Sequence, residues 1–300
     1  MRQLWYCVAH PLTGRYTYKR LILMTEKNEV SETINAVAKL TENIPVYQDL
    51  VQPAAIEMGK NIHTVSKVVT VALAPVRGLV WGFERIESYL SQSLTKKLEK
   101  TPDSDVDVPP TNIAGPVFEA MRFTSDDLEL QNMFANLLAN SMDRSTKSSA
   151  HPAFVEILKN INSDEAKVLK FISETRKGSG FSIPVVDQAA FYSKRKGVTV
   201  IHPLMSAITD QAGCEYPELV ATYLSNLIRL GVFTISDSPL VKAGIYDQVE
   251  QLDIYHANKL DIENMRHHLD EPVEYKALKK NISLTRFGKD LLEIAVRDKA

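Results

Sequence analysis

The segment from Ile62 to Phe83 is the most apolar stretch of the chain and constrains its fold more than any other feature. Its sequence, IHTVSKVVTVALAPVRGLVWGF, is interrupted by Lys67, Pro75 and Arg77. A bilayer-spanning helix needs about 20 predominantly apolar residues, and a central arginine costs roughly 2.5–3.5 kcal/mol on insertion scales. The sequence therefore favours two short pieces, bent near Pro75 and buried in a helical core, over a transmembrane helix.

The end of this segment also supplies candidate contact residues. Arg77, Val80, Trp81 and Phe83 combine a cation with large apolar side chains. Such mixtures occur where helices meet a membrane interface or a partner protein. We expect a core position at rest, with partner or membrane contact only after a trigger, and hence a cytoplasmic protein that can become peripheral to the inner membrane.

Composition excludes several classes of protein. The 300 residues carry 35 Lys and Arg against 37 Asp and Glu, a formal charge of −2, so no field of the whole molecule attracts nucleic acid or anionic lipid. Cys7 and Cys214 form no CxxC motif and have no neighbouring pair of histidines, which argues against a disulfide framework and a zinc site. A reducing cytoplasm suits this usage.

Residues 1–23 differ from the rest of the chain. They contain no acid, and their cations are Arg2, Arg15, Lys19 and Arg20. The apolar run Leu4–Ala9 is too short for a secretory signal, which needs an apolar centre of roughly 7–15 residues. Two alternatives stay open: an upstream or disordered extension before a start at Met24, or a native basic arm.

Helical periodicity organises residues 24–100, and the helix 84–100 is strictly amphipathic. Residues 101–111 follow as a linker, because the sequence TPDSDVDVPP breaks helices and offers little to bury. Its aspartates imitate the start of an EF-hand loop. Positions six and twelve of such a loop require Gly and Glu, whereas Val108 and Ala114 stand there, so we expect a solvated linker and no calcium site.

Residues 112–161 continue the helical pattern. Gly115 and Pro116 are expected to open a short helix, and residues 124–127 to cap the helix Leu128–Met142 with acidic side chains in its first turn. The predicted buried stripe of that helix comprises Leu130, Phe134, Leu137, Leu138 and Ser141. His151 precedes a helix-opening proline without an acid or nucleophile at fixed spacing, which indicates a capping or packing residue.

Residues 162–300 are interpreted as a winged-helix-like α/β domain, so the predicted fold class is mainly α with a helical N-terminal domain before it. The expected helices are one capped by residues 163–165, one at 203–211 and one at 216–230. Strands at 232–235 and 282–285 would form the wing, with an insertion at about 237–280 between them. Gly231 is expected to end the third helix, and Thr285 to cap a closing helix at 286–296.

The third of these helices is poorly suited to DNA recognition. It carries Glu218 early and only Arg229 late, whereas a recognition helix presents cations and amides to phosphates and base edges. We therefore expect a protein-interaction or dimerisation role. A nucleic-acid alternative rests on Lys194, Arg195 and Lys196, which follow two aromatic residues on which a single strand could stack. A solvated turn is the plainer interpretation of these three cations.

Several separate motifs occur in an order typical of one protein family. They are Val46–Leu50 with Pro53-Ala54, Ala72–Pro75 with Gly78–Phe83, Asn112–Pro116, Met133–Leu138 and Ala150–Val155. In these motifs the chain resembles the bacterial abortive-infection alpha family, over most of the region from Met24 to about Thr285. The resemblance implies a role in phage resistance, in which an infected cell arrests or dies before progeny phage emerge. It implies no catalytic residues.

The sequence contains no recognisable catalytic motif. The sequence has no HExxH, G-x-S-x-G or phosphate-loop motif, and the paired rings of His267 and His268 point in different directions on a helix. We expect no catalytic residues, no metal, no cofactor and no small-molecule substrate. The expected partner is a protein or a second copy of the chain. A soluble regulatory scaffold and a nucleic-acid-binding winged-helix protein remain the alternatives.

Overall fold

A computed structural model describes residues 5–9, 16–20, 83–124, 127–175, 181–242, 244–265 and 272–299. The chain divides into two compact units, residues 1–54 and 55–300. In the first unit, strands β1 (Trp5–Ala9) and β2 (Tyr16–Arg20) pair antiparallel. Part of the predicted extension at 1–23 therefore forms strands, and its origin as upstream sequence stays a prediction.

The helices between residues 83 and 175, in the second unit, pack around one central helix. They are α1 (Phe83–Lys97), α2 (Thr111–Met121), α3 (Leu128–Met142), α4 (Ala153–Lys159) and α5 (Ser163–Thr175). Helix α3 contacts the other four and is buried on nearly every side. The helix predicted at 128–142 is confirmed, and the one predicted at 84–100 is present but ends at Lys97. All five residues of the predicted stripe on α3 are buried.

Local hydrogen bonds explain where these helices begin. Asp127 accepts a hydrogen bond from the backbone N–H of Leu130 at 3.0 Å and caps α3. Before α5, Asn162 and Glu165 each accept a hydrogen bond from the other's backbone N–H at 2.9 Å, which is a capping box. The cap of α5 is therefore Asn162, one residue before the predicted site. Pro116 was expected to open α2 but lies inside it.

The C-terminal half adds a four-stranded antiparallel sheet with the order β4-β3-β6-β5. Its strands are β3 (Ser182–Tyr192), β4 (Gly197–Met205), β5 (Phe233–Ser236) and β6 (Val273–Leu284). The helices are α6 (Ile208–Gln211), α7 (Val220–Arg229), α8 (Asp247–Glu250), α9 (Asp253–Asn264) and α10 (Arg286–Leu291). A 3₁₀ turn, Pro217–Leu219, precedes α7, and a π-helical turn, Leu292–Val296, follows α10.

Several predictions for this half are confirmed. Helix α7 follows its 3₁₀ turn within the predicted range, and Gly231 ends it with φ +74°. Strand β5 starts at Phe233, within the predicted strand 232–235. Thr285 caps α10, because its hydroxyl oxygen accepts a hydrogen bond from the N–H of Gly288 at 2.8 Å.

The β3–β4 hairpin was not predicted, and the helix expected at 203–211 was wrong over its first half. Pro203 lies in β4, an edge strand where proline is tolerated, and helix begins only at Ile208. Strand β3 is buried on both faces: Val185 packs against the helical core, whereas Val186 packs against residues 240–255. A strand covered on both faces lacks the alternation that identifies strands in a sequence. Strand β6 likewise begins nine residues earlier than the predicted 282.

One hydrophobic core joins the helices to the sheet. It extends from Ile86 on α1 through α3 to Ile282 on β6 and Val296 in the π-helical turn. The predicted linker 101–111 packs against the end of α3, where Val106 pairs with Asp143. A domain boundary at residues 101–111 stays a prediction. Residues on both sides of this segment belong to the same hydrophobic core.

The described part of the chain is mainly helical, with the antiparallel sheet confined to the C-terminal part. Among its helices, none is both long enough and apolar enough to cross a bilayer. The apolar segment 62–82 lies outside the described residues, so the core position expected for it stays a prediction.

Candidate interaction surfaces

A buried carboxylate fixes the loop before α7 to helix α5. Asp164 is 4% exposed, and its Oδ1 accepts a hydrogen bond from the backbone N–H of Glu215 at 2.8 Å. Its Oδ2 accepts hydrogen bonds from the N–H of Tyr216 at 2.9 Å and the hydroxyl of Tyr223 at 3.1 Å. Burial favours a higher pKa, but these hydrogen bonds and an ion pair between Lys167 Nζ and Oδ1 at 3.0 Å outweigh it and hold the pKa of Asp164 at about 2. The ionised carboxylate thereby positions the turn Pro217–Leu219.

The neighbouring thiol is not set up as a nucleophile. Cys214 is half-buried, and its Sγ lies 3.5 Å from the carbonyl oxygen of Asp164. Burial first, and the charge of Asp164 second, raise the pKa of this thiol to about 11. A thiol with such a pKa is almost entirely protonated at neutral pH and is a weak nucleophile. Cys214 therefore belongs to the packing of the loop.

The positioned turn forms one wall of a cleft of about 410 Å³. The other walls come from the end of β4, from α6 and from the start of α9. The apolar part of the lining consists of Met205, Pro217, Val220, Leu252 and Ile254. Because these residues come from three separate stretches of the chain, the cleft exists only in the folded chain.

Three exposed carboxylates belong to the same lining: Asp210 on α6, Glu218 in the 3₁₀ turn and Asp253 in the first turn of α9. None of the three forms an ion pair with another described residue, and no lysine, arginine or histidine is among the residues that line the cleft. Within the described part of the chain, no group of His, Cys, Asp and Glu could hold a metal ion. The cleft thus combines an apolar floor with uncompensated negative charge.

Apolar side chains also stand exposed at the rim of this cleft. Tyr216 is 50% exposed, Leu219 42% and Ile254 45%. Single exposed apolar residues are ordinary, but these three belong to the segments 216–220 and 251–254 that supply the cleft lining, which favours a contact site. We call the cleft and this rim the acidic cleft.

The basic cluster lies at the opposite end of β4 from the cleft. Lys194, Arg195 and Lys196 form, with Ser193, the turn between β3 and β4, and all three cations are exposed. Lys196 has φ +50°, the left-handed conformation that tight turns require. The residues 193–197 are called the basic hairpin tip below. The prediction of a loop for this cluster is confirmed.

The aromatic rings near the tip are already covered by cations. The guanidinium carbon of Arg195 lies 4.4 Å from the ring centroid of Tyr192, which is 8% exposed. The Nζ atom of Lys276 lies 4.3 Å from the ring centroid of Phe191. A base that stacked on either ring would have to displace its cation. The nucleic-acid contact predicted for Lys194, Arg195 and Lys196 stays a prediction.

Helix α7 turns one face inward. Val220, Tyr223, Leu224 and Leu227 are buried in it. Arg229, the late cation, donates hydrogen bonds to Asn226 Oδ1 from Nε at 3.1 Å and from Nη2 at 2.6 Å. Glu218, the early acid, lines the acidic cleft.

A row of asparagines on α3 holds the C-terminal end of the chain and was missed by sequence reasoning. Asn140 donates from Nδ2 to the carbonyl oxygen of Ile294 at 2.8 Å, and Asn136 donates to that of Ala295 at 3.2 Å. These carbonyls belong to the last helical turn, where backbone acceptors lack helical partners. The spacing of four between the two asparagines was the available signal.

The remaining predicted residues divide between two groups. Arg77, Val80 and Trp81 lie outside the described residues, whereas Phe83 begins α1. Their predicted partner or membrane contact stays a prediction. His151, predicted to be a capping or packing residue, lies just before the N-cap of α4: its Nδ1 accepts a hydrogen bond from the N–H of Ala153 at 3.1 Å, and its ring contacts Phe287 edge-on.

Comparison with known proteins identifies the family. A family model described as abortive infection alpha matches residues 82–295, from α1 to the π-helical turn. This is the greater part of the chain. The chain belongs to the abortive infection alpha family. The predicted resemblance is thereby confirmed, and three of its motifs, in α2, in α3 and at the start of α4, lie inside the match.

Membership of the abortive infection alpha family assigns the chain, at family level, to abortive infection and phage defence. No curated protein matches the sequence at a significant level. A solved structure of an uncharacterized protein from the hydrocarbon-degrading marine bacterium Alcanivorax borkumensis SK2 is similar, at 17% identity and a TM-score of 0.34. The similarity covers 48% of this chain and 93% of that chain.

Proposed function

We propose that this chain is a phage-defence protein of the abortive-infection type that acts by binding, without catalysis of its own. Its C-terminal half docks a protein partner through the acidic cleft, and its apolar segment 62–83 is the effector. The observation that carries the docking role is the coexistence of an apolar floor and three uncompensated carboxylates in one cleft.

The cleft has the composition of a protein-binding site. Apolar floors supply the desolvated contacts that dominate binding energy, while rim charges select the partner and accelerate encounter. Asp164 holds the turn that carries Glu218 through backbone hydrogen bonds, so the cleft wall is fixed before a partner arrives. A preformed wall lowers the entropy lost on binding.

The elements around the cleft support a winged-helix arrangement for this half. Helices α5, α6 and α7 are followed by the antiparallel pair β5 and β6, and residues 237–272 form the insertion between those strands. Strand β3 extends the pair by hydrogen bonding to β6. In this proposal the arrangement serves protein recognition, because one face of α7 is buried and the turn before it carries Glu218.

The effector role rests on the sequence of segment 62–83. Apolar residues with Lys67 and Arg77 close to them suit binding at an anionic membrane surface after a trigger releases the segment. The protein would reside in the cytoplasm at rest and associate with the inner membrane only during infection.

A phage challenge tests both roles. Cells expressing the wild-type chain are expected to plate phage at reduced efficiency and to collapse when every cell is infected. The triple variant Asp210→Lys, Glu218→Lys and Asp253→Lys should plate phage as efficiently as cells without the protein. Deletion of residues 62–82, which leaves α1 intact, should have the same effect.

The matched control reverses three exposed acids that do not line the cleft: Glu99→Lys, Asp103→Lys and Glu119→Lys. It changes the net charge equally and should keep protection. Equal protection by the cleft variant and the wild type, at equal protein levels, would refute the docking role. Protection that survives the deletion would refute the effector role.

A further inference from the structure

We infer that Asp187 is a positioning residue of the acidic cleft, because it holds a strained bulge at Leu204 that turns Met205 into the cleft. This inference rests on the proposed docking role and adds the device that shapes the floor of the cleft. Asp187 is not among the described residues that line the cleft, so it acts on the site through Leu204.

The backbone is strained at the end of β4. Leu204 lies in the left-handed region with φ +55°, where the Cβ atom of an L-residue approaches the following carbonyl oxygen. Strain of this kind persists only where the surrounding structure holds it, and it is concentrated at functional sites. The strained residue directly precedes Met205 and Ser206, which line the acidic cleft. The strain therefore lies at the wall of the proposed docking site.

The strain accompanies a β-bulge. Gln188 pairs with His202 and Val186 pairs with Met205, so β4 advances three residues where β3 advances two. The side chains of a regular strand alternate between the two faces of the sheet. One extra residue in β4 reverses this alternation beyond the bulge and decides which side chain reaches which face.

Contacts on the two faces of the sheet show the reversal. His202 faces α9, where its Nε2 lies 3.5 Å from Asp261 Oδ2. Three residues later, the Sδ atom of Met205 accepts a hydrogen bond of 3.6 Å from Asn258 on the same helix. Leu204 packs with the helical core on the other face. Without the bulge, Leu204 would share the face of His202 and Met205 would turn away from the cleft.

A buried carboxylate holds the bulge. Asp187 is 5% exposed, and its Oδ1 accepts a hydrogen bond from the backbone N–H of Leu204 at 2.8 Å. Its Oδ2 lies 2.9 Å from Lys280 Nζ on β6, and the same Nζ lies 2.8 Å from Asp237 Oδ1, directly after β5. Hydrogen bonds to an ionised carboxylate are stronger than bonds between neutral groups. Asp187 thus ties the strained residue to two other strands of the sheet.

Thermal unfolding of the purified full-length chain tests the strain. Leu204→Ala and Leu204→Gly both remove the buried side chain and differ only in the Cβ atom. Glycine is the more stable of the two in a left-handed residue, whereas alanine is the more stable in an extended strand. Leu204→Gly should therefore unfold about 2–4 °C above Leu204→Ala. The control pair at Val200, in the same strand, should show the reverse order. The reverse order at Leu204 would overturn the inference.

The position of Met205 is followed by NMR of ¹³C-labelled methionine methyl groups, with its signal assigned from Met205→Leu. Met205 packs in one cluster with Tyr246 and Tyr255, whose rings should shift this signal away from that of an exposed methionine. Asp187→Ala should change the shift, because nothing then holds the N–H of the strained residue. Asp187→Asn keeps an acceptor oxygen and should retain the wild-type shift.

Rescue by glycine separates positioning from a general loss of stability. Glycine adopts the left-handed conformation without an acceptor to hold it, so adding Leu204→Gly to Asp187→Ala should restore the wild-type signal of Met205. Adding Leu204→Ala removes the same side chain and should not restore it. Phage challenge should follow the signal: Asp187→Ala loses protection, the glycine double variant regains it and the alanine double variant does not.

A Met205 signal that Asp187→Ala leaves unchanged would overturn the inference, and so would protection that survives this variant. If Asp187→Ala keeps protection while the triple variant at Asp210, Glu218 and Asp253 loses it, the docking role stands without Asp187. If both keep protection, the docking role fails as well. The thermal comparison at Leu204 needs no change at Asp187, so it decides the inference even where Asp187→Ala does not fold.

Discussion

The carboxylate of Asp164 accepts a hydrogen bond of 2.9 Å from the backbone N–H of Tyr216, 52 residues further along the chain. This bond ties the first turn of α5 to the loop that precedes α7. Because Tyr216 directly precedes Pro217 and Glu218, which line the acidic cleft, the position of this wall depends on Asp164, a residue that does not line the cleft.

Replacing this carboxylate is expected to destabilise the fold. In Asp164→Asn, the amide group would turn one N–H donor toward the donors of the loop and leave a buried group unpaired. We expect a loss of about 2–4 kcal/mol in the free energy of unfolding, measured by urea denaturation with circular dichroism. The control Asp210→Asn, on an exposed and unpaired acid, should change stability by less than about 0.5 kcal/mol. Equal effects of the two variants would contradict this role.

The same carboxylate should make stability depend on pH in acid. Folding lowers the pKa of Asp164 from 3.8 to about 2, so the folded state binds fewer protons than the unfolded state between these values. Its contribution is complete above about pH 5 and is lost as the pH falls toward 2, a change of roughly 2 kcal/mol. Urea denaturation of the wild type and of Asp164→Asn at pH 5, 4, 3 and 2 should give a stability difference that shrinks by this amount. A difference that is constant with pH would rule out the ionised carboxylate as its source.

Two glycines should respond to alanine in opposite directions. A Cβ atom on Gly288 would lie 2.1 Å from the carbonyl oxygen of Val232, a backbone atom that cannot move aside cheaply. Gly288→Ala should therefore cost about 3 kcal/mol or more and shift thermal unfolding to lower temperature. Gly115 lies in α2 with no atom within 4 Å of such a Cβ, so Gly115→Ala should stabilise by about 0.5–1 kcal/mol. A neutral Gly288→Ala would mean that α10 does not approach Val232 so closely.

The asparagine row on α3 should control the order of the C-terminal turn. Asn140 is 4% exposed, and its loss in Asn140→Ala leaves the carbonyl of Ile294 without its donor. We expect about 2–3 kcal/mol of destabilisation and faster amide hydrogen exchange at residues 292–299. The control Asn112→Ala, on the exposed face of α2, should leave exchange at 292–299 unchanged. Equal exchange in both variants would show that packing alone holds this turn.

Local sequence signals were sufficient for elements whose ends are set by their own side chains. Helix α3 shows the helical period over its whole length, and Asp127 caps it within the predicted four-residue signal. Thr285 and Gly231 likewise identify helix ends by chemistry that operates within a few residues. His151 was recognised as a capping or packing residue for the same reason.

Strand β3 and the acidic cleft depend on contacts between distant segments. The burial of both faces of β3 follows from the helical core on one side and residues 240–255 on the other, and no local pattern records that arrangement. The acids of the cleft, Asp210, Glu218 and Asp253, come from three elements that meet only after folding.

The sequence by itself determined the family, the main helices and their caps, because periodicity, capping and motif order are properties of neighbouring residues. Only the tertiary structure decided which charges meet: it joins Asp210, Glu218 and Asp253 in one cleft and separates them from Lys194, Arg195 and Lys196 by the length of β4. Charge is additive along a sequence, but a binding surface depends on the distance between charges, and the fold sets that distance.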